Sequence, residues 1–373
     1  MKKVAIPILL CFILAILIPA AYADDAEKSS IWRDPEDGAF DMTNWLLSQH
    51  GFLPMPIIVT EPAVDGGIGA TVLYFWANEE KVAKGISLDI TGGAFVYTFN
   101  GSIGGGVFHL GFWRDDTIRY RGALVRSNAY MDFFLSLPKE DYPVTTGFDS
   151  WAIVQDVAFR LDDSKYFLGP RWFMFLSDNT IVGAPIEPED LDTNYSAQGV
   201  VFGWDDRDTV WTPSSGKKGE LQVLFAIPVP LEDSTFWLVD ARFTDYRPFT
   251  PKVVYGDRWS ILTSFGDTPY YAKPGIDMRG VPKGRYSGDY VAQYEGEFRI
   301  ALNSRWDIMA LGGGGFTFTE ARFLKDLRSE FIYSAGTGIR YQISRRMGIS
   351  SGVDVAFSNE DWAIYFITGN KWH

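Results

Sequence analysis

Apolar and polar residues alternate with a period of two along much of the chain. The clearest stretch places Tyr290, Ala292, Tyr294, Phe298 and Ile300 on one face and Gln293, Glu295, Glu297 and Arg299 on the other. This periodicity predicts a β-strand with one apolar and one ionic side. Taken alone, the strand fits a soluble sandwich as well as a membrane barrel.

The same pattern recurs often enough to choose between those architectures. Sixteen segments carry it: Gly67–Ala77, Ser87–Tyr97, Gly104–Trp113, Thr117–Val125, Asn128–Leu137, Trp151–Leu161, Tyr166–Leu176, Tyr195–Asp206, Gly219–Pro228, Thr235–Tyr246, Lys252–Ser264, Asp289–Leu302, Arg305–Phe318, Phe331–Ile343, Met347–Phe357 and Asp361–Lys371. An even number of strands of membrane-crossing length is typical of bacterial outer-membrane barrels. Because lipid cannot satisfy an open sheet edge, we predict an all-β, transmembrane antiparallel barrel of about 16 strands, with the ionic face toward the lumen. A soluble β-helix or sandwich is the alternative.

The N-terminus predicts export. Lys2 and Lys3 precede an apolar run from Val4 to Pro19, and Ala21-Tyr22-Ala23 supplies a small-x-small cleavage site. This is the pattern of a secretory signal peptide, here residues 1–23, although an N-terminal membrane anchor is the alternative. The only cysteine, Cys11, lies within the run, so the mature chain is expected to contain no disulfide.

Two further regions complete the predicted organisation. Residues 24–62 form an N-terminal periplasmic segment, in which Ala39–Gln49 has the spacing of a short amphipathic helix. Residues 63–373 form the outer-membrane barrel domain.

Composition and charge narrow the functional classes. Aromatic residues make up 16% of the chain and there are 37 glycines, a mixture rich in strand and turn formers. The formal net charge of −13 becomes more negative once Lys2 and Lys3 are removed, which argues against nucleic acid as a partner.

Catalytic and metal-binding patterns are weak. The three histidines are not spaced as metal ligands: His50, His109 and His373. The glycine runs at residues 104–106 and 312–315 lie within strand patterns, where phosphate loops do not occur. The acidic cluster at residues 205–208 follows an apolar strand and fits a turn at the membrane boundary. We therefore predict no enzyme, no catalytic residues, no metal and no cofactor.

Three segments carry a resemblance to a known family. They are Gly203–Asp208 with Thr212, Pro213 and Gly216; Met278-Arg279-Gly280 with Gly284-Arg285-Tyr286; and Ala335–Tyr341 with Tyr365, Phe366 and Trp372. Gly51–Pro54 and Thr60–Pro62 add to them. In this order they resemble the bacterial surface antigen family, the sixteen-stranded outer-membrane assembly barrels related to BamA and TamA. The resemblance extends from about Asp37 to the C-terminus.

The resemblance implies a long loop folded into the lumen between the eleventh and twelfth strands. This loop would hold Arg279, Gly280, Gly284 and Arg285, with the arginine of the Arg-Gly pair bound by acidic side chains of the wall. The alternation turns Glu295, Glu297 and Asp354 inward, so they are the expected partners. An exposed, unpaired Arg279 is the alternative. Two departures bear on this pairing: Val281 replaces the family's aromatic residue, and glycines 312–315 occupy the position of its aspartate.

The C-terminus resembles an outer-membrane sorting signal, with Tyr365, Phe366 and Trp372 as its aromatic residues. The chain departs from that signal by ending on His373. Recognition by the barrel assembly machinery during biogenesis, and a final location in the outer membrane among its lipids, are the expectations.

Function is less closely specified than fold. The segment before the barrel is too short for the periplasmic POTRA domains of larger family members, so we expect a short member without them. The first hypothesis is insertion or translocation of client proteins through a seam between Gly67–Ala77 and Asp361–Lys371. The alternatives are a channel or transporter for small solutes or lipids, a surface enzyme, and a structural or adhesive barrel, including a homo-oligomer held by the N-terminal helix.

Overall fold

The computed structural model describes residues 31–48, 52–59, 64–136, 141–182, 193–229, 235–320, 327–359 and 361–372. The expected signal peptide with Cys11, and also His50 and His373, lie outside these residues. The described chain forms one 16-stranded sheet in which every strand pairs with its sequence neighbours. All fifteen pairings are antiparallel.

The strands are β1 Phe52–Val59, β2 Gly67–Phe75, β3 Ile90–Thr98, β4 Ile103–Trp113, β5 Ile118–Ser136, β6 Asp141–Arg160, β7 Tyr166–Ile181, β8 Thr193–Asp205, β9 Gly216–Pro228, β10 Phe236–Thr250, β11 Val253–Gly266, β12 Tyr290–Ala301, β13 Trp306–Glu320, β14 Leu327–Ser344, β15 Ile349–Ser358 and β16 Trp362–Thr368. The described residues contain two short helices, α1 Thr43–Leu47 and α2 Glu79–Ala83. Tyr270–Ala272 forms one 3-10 turn.

The alternating sequence pattern becomes a lipid face and a luminal face. On β11, Trp259 and Ile261 are 55% and 62% exposed, whereas the intervening Ser260 is 2% exposed. Such large apolar side chains in alternating exposed positions are typical of a surface in contact with hydrocarbon. The predicted fold class, a transmembrane antiparallel barrel of 16 strands, is confirmed.

The two ends of the barrel differ. Strand β1 starts and β16 finishes at the end that carries the tight turns at residues 251–252 and 302–305. The long connection between β11 and β12 leaves the opposite end. The end with the tight turns is the turn end of the barrel, and the opposite end is the loop end.

Two errors in the predicted strand assignment cancel in the total. The segments Thr117–Val125 and Asn128–Leu137 are one continuous strand, β5, all 19 residues of which pair with β6. Strand β1, in contrast, lies within the region assigned to the N-terminal segment. The first strand is therefore Phe52–Val59 and not Gly67–Ala77.

The N-terminal segment packs against the turn end of the barrel. Helix α1 is shorter than the predicted Ala39–Gln49, and it buries Leu46 completely. Leu46 lies in an apolar cluster with residues of the barrel wall and the β2–β3 connection: Leu53, Phe75, Leu88, Ile90 and Ile349. The backbone N–H of Met42 also donates to the carbonyl of Ile343 over 2.7 Å.

Arg305, in the β12–β13 turn, fastens this segment by ion pairs. Its guanidinium lies 2.6 Å from Asp34, 2.8 Å from Asp37 and 2.7 Å from Asp41. The hydrogen bond from Arg305 lowers the pKa of Asp37 to about 2. Burial alone would raise the pKa of Asp41, but hydrogen bonds from Arg305 and Thr43 outweigh it and lower that pKa. Asp37 and Asp41 are therefore ionised at neutral pH. The ion pairs of Arg305 with Asp34, Asp37 and Asp41 form the N-terminal clasp, which holds the segment against the barrel.

Among the described residues, no helix combines the length and the apolar character needed to cross a membrane.

Candidate functional site

The connection between β11 and β12 turns back into the lumen. Met278 and Val281 are buried at 2% exposure, and they pack with Ile276, Tyr286, Val291 and Ile332. The departure at Val281 is therefore accommodated by an apolar contact. Gly280 has φ of +86°, and a Cβ at this position would lie 3.0 Å from the backbone of Phe357. Only glycine combines this conformation with such a close approach to β15.

Arg279 is fully buried and contacts all three carboxylates that the alternation turns inward. Its side-chain nitrogens lie 2.9 Å from Asp354 and Glu297, and 3.4 Å from Glu295. Its backbone N–H also donates to Glu295 Oε1 over 3.0 Å. The guanidinium thus joins the loop to β12 and β15, on two separate parts of the wall.

Two further arginines and a tryptophan surround this cluster. Arg258 donates to Glu295 over 2.7 Å, and Arg340 donates to Asp354 over 2.6 and 2.8 Å. Trp372 Nε1 donates to Glu295 over 3.0 Å, while the Arg279 guanidinium lies 5.5 Å from the Trp372 ring centroid. Three guanidinium groups therefore balance three carboxylates, which is the condition for burying this many charges together.

The other predicted site residues lie in the inner loop and on β16. Arg285 lies over the Tyr286 ring at 5.2 Å, and Gly284 has φ of +78° in the same loop. Tyr365 points inward, and its hydroxyl accepts the backbone N–H of Gly280 over 2.9 Å. Phe366, the next residue, faces the opposite side of β16.

Trp372 is not on the barrel wall with these two residues. It follows β16, is 4% exposed and lies in the lumen against the arginine cluster. Its part in sorting stays a prediction, but its luminal contacts were missed by sequence reasoning. One signal was available in the sequence. The strand alternation ends at residues 369–370, which places Trp372 beyond the last strand.

The first and last strands meet without a backbone ladder among the described residues. Every other neighbouring pair of strands is hydrogen-bonded, whereas the sheet begins at β1 and ends at β16. A contact of 4.0 Å between Thr368 Oγ1 and Met55 Sδ shows that the two edges are adjacent. The barrel is thus nearly closed, with one seam.

Two prolines lie on the seam edge of β1. Pro54 and Pro56 are two residues apart, so their missing N–H groups belong to the same edge of the strand. Both residues have partners on β2, at Val72 and Ala70, and a proline fits this ladder where its nitrogen points away from the partner. The nitrogens of Pro54 and Pro56 therefore face β16, where they cannot donate hydrogen bonds.

Comparison with solved structures identifies the fold. BamA from Haemophilus ducreyi lacking POTRA domains 1-3 superposes with a TM-score of 0.52 at 12% identity, covering 86% of this chain and 70% of that one. CdiB from Escherichia coli gives 0.58 at 12% identity, covering 85% of this chain and 62% of its own. CdiB from Acinetobacter baumannii gives 0.54 at 12% identity, covering 85% and 59%. The chain therefore spans about six-tenths of the CdiB structures.

Sequence comparisons add no closer assignment, since no family model and no curated protein matches the chain. The structural likeness and the lipid-facing surface together show a bacterial outer-membrane β-barrel with the fold of BamA and CdiB.

Proposed function

We propose that this barrel aids the insertion or translocation of proteins at the outer membrane, by offering the seam edge of β1 to a client strand. The observation that carries the proposal is that β1 and β16 form no backbone ladder in the described part of the chain. An exposed strand edge is a template for β-augmentation, in which an incoming strand completes the sheet.

The prolines of β1 supply a physical reason for a seam that opens at low cost. A backbone hydrogen bond contributes roughly 0.5–1.5 kcal/mol of net stability. Two donors are absent from the edge that faces β16, and β16 itself has only seven residues. By contrast, the ladder between β5 and β6 extends over all 19 residues of β5. Opening at the seam is thus the least costly separation of neighbouring strands.

The luminal arginine cluster supports the proposal in a second way. Arg279 joins the inner loop to Asp354 on β15, and Tyr365 of β16 binds the backbone of Gly280. The loop therefore holds the β15–β16 side of the seam in place from within the lumen. A stationary β16 side lets the β1 edge separate while the rest of the wall stays assembled.

The test measures how fast a denatured client barrel becomes protease-resistant in liposomes with and without the purified protein. Cysteines at Met55 and Thr368, bridged by a short bifunctional thiol reagent, close the seam. A matched pair at Thr337 and Val355, which are direct partners on the β14–β15 ladder, leaves it free. We expect acceleration that only the bridged seam pair abolishes. Absence of acceleration by the unmodified protein, or equal loss in both bridged variants, would contradict the proposal.

A channel or transporter for small solutes or lipids is the second candidate. The observation that favours it is open space inside the wall, where two cavities of about 430 and 530 Å³ remain beside the inner loop. Steady conductance in planar bilayers that increases in Arg279→Ala would support this candidate. Conductance at the level of protein-free bilayers in both proteins would exclude an open channel.

A further inference from the structure

Two adjoining cavities lie between the inner loop and the wall formed by β5–β10. The first, the charged chamber, has a volume of about 430 Å³ and is lined mainly by ionic side chains. The second, the aromatic chamber, has about 530 Å³ and lies nearer the loop end of the barrel. Phe173 and Asp277 line both chambers, which are therefore contiguous. Each volume is in the range of about 300–1,000 Å³ that is usual for small-molecule sites.

The charged chamber carries an excess of positive charge. Its basic residues are Arg121, Arg171, Lys218, Arg242, Arg258 and Lys371, and its acidic residues are Asp156, Glu220, Asp240 and Asp277. The lining has two more cations than carboxylates, and because Arg258 is already paired with Glu295 of the luminal cluster, an excess of one positive charge remains. In a confined space with low-dielectric walls, such an excess attracts anions.

Most of the carboxylates in the charged chamber are already engaged by arginines. Asp156 accepts from both Arg121 and Arg171, and Glu220 accepts from Arg171 over 2.9 Å. Arg242 lies 2.6 Å from Asp240. These short contacts account for three of the four acidic residues.

Neither lysine of this chamber makes such a short contact with a carboxylate of the described residues. Lys218 Nζ is 3.9 Å from Glu220, and Lys371 Nζ is 3.9 Å from Asp277. Both separations exceed hydrogen-bond length, although the lysine side chains are only 19% and 22% exposed. Two ammonium groups therefore retain donors for an anionic ligand.

The aromatic chamber is unusual for the interior of a membrane barrel, which is normally polar. Phe173 lies 6.4 Å from Phe175 and 5.7 Å from Tyr195, measured between ring centroids. Met131 and Phe148 extend this apolar wall, and Ile276 faces it from the loop. Part of the wall packs against the loop, yet the cavity remains beside it. This apolar wall favours hydrocarbon, while Lys273, Asp277 and Lys283 line the loop side of the same chamber.

We propose that the two chambers form one luminal site for an anionic amphiphile, with its phosphate or carboxylate head at Lys218 and Lys371 and its acyl chain in the aromatic chamber. The contiguous cavities match the two halves of such a molecule. The aromatic chamber for the tail lies against β5–β8, away from the seam, whereas Lys371 at the head follows β16. The binding test uses no client protein, so its failure is distinguishable from a failure of client insertion.

The test is native mass spectrometry of the full mature chain in an excess of a neutral maltoside detergent. The detergent competes for any site that recognises only an alkyl chain. The probes are dodecyl phosphate, dodecanoate and methyl phosphate. We expect saturable binding of at least one dodecyl anion and about tenfold or more weaker binding of methyl phosphate, which has no tail. Preference for dodecyl phosphate would indicate a phospholipid-type head, and preference for dodecanoate a fatty acid.

Substitutions locate the site. Lys218→Gln combined with Lys371→Gln is expected to weaken binding of the dodecyl anion by about tenfold or more, because two charge-assisted hydrogen bonds are lost. Lys217→Gln is the matched control, since this neighbouring lysine of β9 lies outside both linings. Ala129→Phe partly fills the aromatic chamber and should weaken binding of the dodecyl anion while leaving that of methyl phosphate unchanged. Retained heat-resistant migration on cold gels shows that each variant is folded.

Three results would overturn the proposal: no binding of either dodecyl anion, equal binding of methyl phosphate, or the same affinity in the double lysine variant as in Lys217→Gln.

Discussion

Replacing Arg279 by alanine tests whether the luminal arginine cluster stabilises the barrel. Arg279 is completely buried and has three carboxylate neighbours within 3.4 Å. Its removal leaves three carboxylates with two guanidinium groups, those of Arg258 and Arg340. Removing one partner of a buried ion pair typically costs about 3–5 kcal/mol, because the remaining charge is buried without compensation. We expect a loss of this size in the free energy of unfolding.

The assay is urea unfolding in detergent, with the temperature at which heat-resistant migration on cold gels is lost as a second measure. Lys283→Ala is the matched control, because it removes the same charge from an exposed position in the same loop. Its expected effect is within about 0.5 kcal/mol, as for most surface substitutions. A change in Arg279→Ala no larger than in Lys283→Ala would refute the reasoning.

A double-mutant cycle isolates the contact with β15. Arg279→Ala and Asp354→Ala remove the two ends of the 2.9 Å ion pair, separately and together. Groups in direct contact within one network show coupling energies of about 0.5–3 kcal/mol. We expect a value in the upper half of that range, and additive effects would contradict a direct pairing.

Three further predictions concern the inner loop and the N-terminal clasp. Arg305→Ala removes the shared partner of three aspartates, so chymotrypsin should cleave after Phe40 much faster than in the unmodified protein; equal rates would show that the clasp does not hold the segment. Because the pKa of Asp37 falls from 3.8 to about 2 on folding, its contribution to docking is complete above about pH 4 and is lost as the pH falls toward 2. Cleavage after Phe40 by an acid-active protease should therefore increase only between about pH 4 and pH 2. An increase already at pH 5 to 6 would contradict the lowered pKa of Asp37 as its cause. Gly280→Ala should lower the temperature of heat-resistant migration more than Gly284→Ala, because both have positive φ but only Gly280 lies against the backbone of β15; equal effects would exclude the close approach as the cause.

The architecture was largely predictable because residues that face lipid and residues that face the lumen alternate along each strand of a membrane barrel. Strand β5 shows where this signal ends. Arg126 lies in the middle of the strand and pairs with Asp149, and its guanidinium is 5.5 Å from the Trp151 ring centroid. All three residues face outward, so the alternation is interrupted although the ladder continues to Ser136. Backbone pairing can continue where the lipid face stops, which is why one strand was taken for two.

Strand β1 was missed for a different physical reason. Pro54 and Pro56 argue against a strand in the interior of a sheet, but they are tolerated at an edge. Sequence alone does not show that β1 is an edge, because this depends on where β16 arrives. The partners of Arg279 followed from alternation and the family resemblance, whereas Arg258 and Arg340 were not predicted as members of the cluster. Their roles depend on contacts between residues distant in sequence.

The prolines of β1 also determine the balance of hydrogen-bond donors and acceptors along the open edge. Their carbonyl groups remain available, but their nitrogens offer no hydrogen, so this edge accepts hydrogen bonds at more positions than it donates them. Edge prolines are among the devices by which proteins prevent uncontrolled strand addition. An incoming strand would lose the same two bonds in every register, and two copies of the barrel would gain less by joining edge to edge than two edges without proline. The seam can thus be open to a transient guest and still resist polymerisation in a crowded membrane.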